Sequence, residues 1–94
     1  MSGLVDTFFI MNSQLIAFAN GEVQSSEGWA LRPLTPELME YVEGSDACLV
    51  NVGAPSALQV RTIYATESLS DFFPHLRENV TSALPFLNGR YVVA

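Results

Sequence analysis

Apolar and polar positions along this chain change period several times, and each change marks a boundary between elements. The pattern is clearest between residues 47 and 64. Ala47-Cys-Leu-Val-Asn-Val52 is a short β-branched apolar run that predicts an inner strand, and Gly53-Ala-Pro-Ser56 supplies a turn. Leu58-Gln-Val-Arg-Thr-Ile-Tyr64 then alternates, with Leu58, Val60, Thr62 and Tyr64 on one face and Gln59, Arg61 and Ile63 on the other. The two segments predict a hairpin.

The period lengthens further on. Leu76, Val80 and Leu84 recur at every fourth position, with Arg77, Glu78 and Thr81 turned away, so a helix is expected from near Pro74 to its stop at Pro85. Pro74 then falls in a first turn, where its missing N–H costs little. Ahead of it, residues 67–72 read as a short helical turn, with Ser68 and Asp71 spaced like a capping box. Asn88-Gly89 turns the chain into a last strand, Arg90-Tyr-Val-Val93. A second helix is expected over about 36–43: Thr35 can cap it, Pro36 suits its first position, and Glu37 favours the positive end of its dipole. Leu38, Tyr41 and Val42 share one face of that helix, and Gly44 is a natural stop.

The N-terminal third fits two periods. Phe8, Met11, Leu15 and Phe18 make a helical stripe, yet the polar run Asn12-Ser-Gln14 interrupts it, and Asn20-Gly21 is a hairpin signal, so strand is preferred over residues 7–19. Residues 22–34 read as a partner strand or an irregular loop. In order, the elements are β-α-β-β-α-β with an extra N-terminal hairpin. This is the order of an α+β, ferredoxin-like single domain over residues 1–94, a small antiparallel sheet covered by two helices.

Composition bears on the surface. Charged residues are 15% of the chain, against about 25% in an average soluble domain, and mean hydropathy is +0.26. A domain of 94 residues has too little interior for so much apolar area, so part of it is expected to meet a protein partner or another copy, making a homo-oligomer. The net charge of −6 and the absence of lysine disfavour nucleic acid and anionic membranes. The apolar segment Phe8–Ala19 follows Asp6 rather than a basic residue and is too short to span a bilayer, so neither a signal peptide nor a membrane helix is read there. With Cys48 as the single cysteine, no internal disulfide or Cys/His metal site is expected, and the cytoplasm is the expected location.

No phosphate loop, nucleophile elbow or dinucleotide fingerprint occurs, and no cofactor is expected. Cys48 lies in an apolar strand that suppresses its thiolate, and the Glu37, Glu40 and Glu43 set reads as a solvated acidic face. The expected function is a non-catalytic binding module of inhibitor, adaptor or phage accessory type, with Trp29, Tyr41, Tyr64, Phe72 and Phe73 as aromatic anchors. One alternative is a structural subunit of a larger assembly. In another, the strand followed by Glu67-Ser-Leu-Ser-Asp-Phe72 and His75-Leu76 resembles small cofactor-independent monooxygenases of ferredoxin-like fold. That resemblance implies a dimeric enzyme in which His75, Arg61 and Trp29 surround a pocket. His75 is the candidate general base, and Asp71, four residues earlier, is the group that orients it.

Overall fold

The computed structural model describes residues 14–65 and 72–94. Among these residues seven strands form one curled, mixed sheet, a half-barrel whose strands lie side by side in chain order. They are β1 (Leu15–Ala17), β2 (Val23–Ser25), β3 (Trp29–Thr35), β4 (Leu38–Glu43), β5 (Asp46–Val52), β6 (Val60–Tyr64) and β7 (Arg90–Val93). β1 to β6 form an antiparallel meander. β7 is parallel to β6 and is reached through a crossover carrying the one regular α-helix among the described residues, α1 (Leu76–Ala83), and a short 3-10 turn (Leu84–Phe86).

The ferredoxin-like expectation is therefore corrected, because among the described residues a single short helix lies over the seven-stranded sheet and the expected helix over 36–43 is a strand. The reason lies in Thr35-Pro36-Glu37-Leu38. Thr35 Oγ1 accepts the Glu37 N–H at 3.2 Å, the bond expected of a helix cap, but here it closes the turn between β3 and β4 beside a register shift at Pro33/Thr35. A helix of about eight residues is too short to hold on propensity alone. As a strand, the same segment pairs along its whole length, from Arg32↔Glu40 on one side to Tyr41↔Cys48 on the other. Gly44, with φ of 62°, opens a two-residue turn to β5, in the position where a tight hairpin requires positive φ.

Other elements follow the periods that predicted them. β5 and β6 pair antiparallel through Asn51↔Tyr64 and Val52↔Ile63, α1 buries Leu76, Val80 and Ala83, and β7 forms after Asn88-Gly89. Residues 22–34 hold two strands rather than one. Residues 15–17 are strand, and Asn20-Gly21 turns the chain back, with the Glu22 N–H bonded to Asn20 Oδ1 at 3.0 Å. The readings made on residues 1–13 and 66–71, including the capping box and Asp71, lie outside the described residues.

The core fills the concave side. Val23, Leu31, Met39, Tyr41, Val50, Val52 and Ile63 come from alternate positions of successive strands, and Phe73, Leu76, Val80 and Ala83 lie over them. Ile63 is thus the inward residue of β6, and the face with Val60, Thr62 and Tyr64 looks outward. Among the described residues the sheet runs from β1, three residues long, to β7, where the Arg77 guanidinium donates to the Val93 carbonyl at 3.4 Å.

Candidate functional site

Two features rise above the ordinary packing, one on each side of the sheet. On the convex side, positions that face away from the core remain apolar in several strands. Ile16 is 57% exposed, Leu49 54%, Val92 49% and Tyr64 45%. The register places these positions in rows: Ile16–Gln24–Ala30–Val42–Ala47, Arg32–Glu40–Leu49, Leu38–Asn51–Tyr64 and Thr62–Val92. An antiparallel sheet with one solvated face ordinarily alternates apolar with polar side chains; here the outward parity is mixed, with Ile16, Leu49, Tyr64 and Val92 exposed among Gln24, Arg32, Glu40 and Asn51. The charges on the outward face are Arg32, Arg90, Glu40 and Glu22, whose carboxylate accepts from Gln24 Nε2 at 2.8 Å, a net of zero on a chain of net −6. Arg32 and Glu40 pair directly across β3 and β4, and this hydrogen bond, followed by the charge of Glu40, holds Arg32 above its ordinary pKa.

On the concave side, a cleft of about 260 Å³ opens where the end of α1 meets the β2–β3 turn, lined by Glu27, Trp29, Glu43, His75, Glu78 and Asn79. Trp29 and Glu43 are cross-strand partners, which brings indole and carboxylate side by side. Behind them, Asn79 Nδ2 donates to Tyr41 Oη at 2.8 Å, and Tyr41 Oη donates to Glu43 Oε1 at 2.6 Å. Burial first, and then the bond to Glu43, push the Tyr41 phenol well above its ordinary ionisation range. Tyr41 stacks on Trp29 at a centroid distance of 6.1 Å and takes the edge-on contact of Phe73 at 5.4 Å. At the rim, His75 Nδ1 lies 3.3 Å from Glu78 Oε1.

The aromatic residues expected as anchors divide between inside and outside. Trp29, Tyr41 and Phe73 are core residues, whereas Tyr64 stands on the convex face and Phe72 is 82% exposed beside a second cleft of about 270 Å³ with Asp46, Ala47, Cys48 and Phe73. Burial pushes the Cys48 thiol up, away from thiolate chemistry. Of the residues placed around an enzyme pocket, His75 and Trp29 do share the concave cleft. Arg61 lies elsewhere, its Nε donating to the Gly53 carbonyl at 3.0 Å.

Sequence reasoning passed over Ile16, Leu49 and Val92, and it did not join Glu27, Glu43, Glu78 and Asn79, of which Glu43 and Glu78 were read as solvated. The first group had a signal, since apolar residues occupy both parities of β1, β5 and β7. The second had none, because only folding joins those segments. No protein-family model, curated protein or solved structure matches this chain.

Proposed function

We propose that this chain is a non-catalytic binding module that works as a homo-oligomer, two copies meeting through the convex face of the sheet. The observation that carries this reading is the apolar character of that face, with Ile16, Leu49, Tyr64 and Val92 all about half exposed. Charge favours a second copy as the occupant. The face is nearly neutral, so two copies can approach there despite their overall charge of −6 each, and the adjacent Arg32 and Glu40 allow a two-fold exchange of partners.

Seven strands at about 4.8 Å spacing span about 29 Å, and strands up to seven residues long run for about 23 Å. Allowing for the shorter edge strands, the footprint is roughly 500 Å² per copy, which corresponds to a reversible association rather than a permanent one. The polar groups suited to catalysis are dispersed or engaged: His75 with Glu78, Arg61 with a backbone carbonyl, Cys48 disfavoured as a thiolate. A free cysteine fits the reducing cytoplasm, where we place the protein.

Sedimentation equilibrium across micromolar to millimolar concentration tests the reading. The parent chain is expected to show a monomer–dimer equilibrium. Leu49→Glu, at an exposed position that leaves the core intact, is expected to weaken it by at least about a hundredfold, because symmetry buries two unpaired carboxylates. A strictly monomeric parent chain, or a Leu49→Glu chain that associates as well as the parent, overturns the proposal.

A further inference from the structure

On the convex face one ion pair stands where charge is least expected. The Arg32 guanidinium donates to the Glu40 carboxylate across β3 and β4, and β4 is the fourth of the seven described strands, so the pair lies at the middle of the face. The outward positions nearest to it on β3, β4 and β5 are uncharged: Ala30, Leu38, Val42, Ala47, Leu49 and Asn51. The other charge close by is Glu22, on the side of β2, whose carboxylate is engaged by Gln24 Nε2 at 2.8 Å. An exposed pair of this kind adds little to the stability of a single chain, so its position matters for what meets the face rather than for the fold.

Two-fold symmetry gives that position its weight. When two identical sheets stack face to face, overlap is greatest with the axis through the middle of the face, and residues beside the axis meet their own copies. Glu40 then faces Glu40 of the second copy, two like charges in an interface that excludes water. Arg32 offsets that repulsion. A guanidinium carries five N–H donors in a planar fork, and among the described residues the side-chain hydrogen bonds of Arg32 go to Glu40 alone. The Arg32 side chain is 46% exposed against 23% for Glu40, so the cation is the more open member of the pair and keeps donors for a second carboxylate.

We infer that Arg32 and Glu40 set the register of the homodimer: around the two-fold axis each Arg32 bridges its own Glu40 and Glu40 of the second copy, closing a ring of four alternating charges. The inference rests on the convex-face association proposed above and names the two residues that decide which stacking of the sheets is accepted. Sliding one sheet over the other by a row sets the pair against Ala30, Val42 or Leu49 of the second copy. The remaining donors of the guanidinium and acceptors of the carboxylate are then covered by apolar groups, which rejects that register. A buried polar residue fixes the register of coiled coils in the same way.

Charge reversal reads the ring directly, by sedimentation equilibrium over the same concentration range. Arg32→Glu and Glu40→Arg each set like charges around the axis, and each alone is expected to associate about a hundredfold or more weakly than the parent chain. An equimolar mixture of the two is expected to recover to within about tenfold of the parent, because opposite charges then meet. A role confined to one chain cannot give that recovery. Arg32→Met, which strands the carboxylate, should weaken association by about tenfold or more, and Arg32→Met/Glu40→Met should regain most of the loss. This second pair carries the test if urea titration shows a reversed chain to be unfolded. A mixture that associates no better than its folded components, or Arg32→Met associating as well as the parent, overturns the inference. The two readings fail differently. A strictly monomeric parent chain overturns the association itself, whereas a parent that dimerises and is weakened by Leu49→Glu, with reversed chains that do not recover on mixing, overturns only the ring.

Discussion

Tyr41→Phe isolates the polar chain behind the concave cleft, because it removes one oxygen and keeps the ring that packs on Trp29 and Phe73. Two hydrogen bonds disappear, one to the Glu43 carboxylate at 2.6 Å and one from Asn79 at 2.8 Å. Bonds to a charged group contribute about 1.5–3 kcal/mol and neutral ones about 0.5–1.5 kcal/mol. Glu43 and Asn79 line an open cleft and can regain water, so the low end of the sum applies, about 2 kcal/mol. For a domain of this size that lowers the melting midpoint by about 8–16 °C.

Thermal and urea unfolding of Tyr41→Phe, Asn79→Ala and the double variant measure both the loss and its sharing. Asn79→Ala should cost less in the Tyr41→Phe background than in the parent. A second readout is the alkaline limb. The folded chain holds the Tyr41 proton more tightly than the unfolded chain does, so its contribution is complete below about pH 10 and falls as pH rises beyond that. Tyr41→Phe should flatten that decline. A loss under about 0.5 kcal/mol, strictly additive variants and an unaltered alkaline limb together refute the network reading.

Two further outcomes follow from the same structure. Alkylation of Cys48 by iodoacetamide near pH 8 should be several-fold slower in the folded chain than in urea, since burial raises the thiol; equal rates contradict this. Gly44→Ala should cost about 1 kcal/mol, a backbone penalty alone, because the added methyl group meets nothing within 4 Å. Gly21→Ala should cost more, its Cβ falling 3.1 Å from Pro33 Cγ, and urea titration ranking them the other way contradicts the geometry.

Legibility in the sequence tracked how many independent signals agreed. Strands β5, β6 and β7 and helix α1 each combined a clear period with punctuation at both ends, and all four are present. Residues 36–43 failed because the chemistry of Thr35-Pro36 serves helix caps and turns alike, and because six or eight residues are too few to separate a period of two from one of 3.6. Tertiary pairing decided, with Leu38–Glu43 held between β3 and β5. Trp29 and Tyr41 were named as anchors because the surplus of apolar residues called for a contact surface, although Trp29-x-Leu31 and Met39-x-Tyr41 have the spacing that puts them on the inward parity of a strand. The concave cleft was invisible for a different reason. Glu27 and Glu78 are fifty-one positions apart, and only the packing of α1 over β3 brings them together.

The guanidinium resting on the outermost carbonyl of β7 has a consequence for how such molecules can crowd together. A neighbouring backbone that tried to extend the ribbon there would first have to dislodge Arg77. Growth into fibrils by lateral addition at that margin is thereby discouraged.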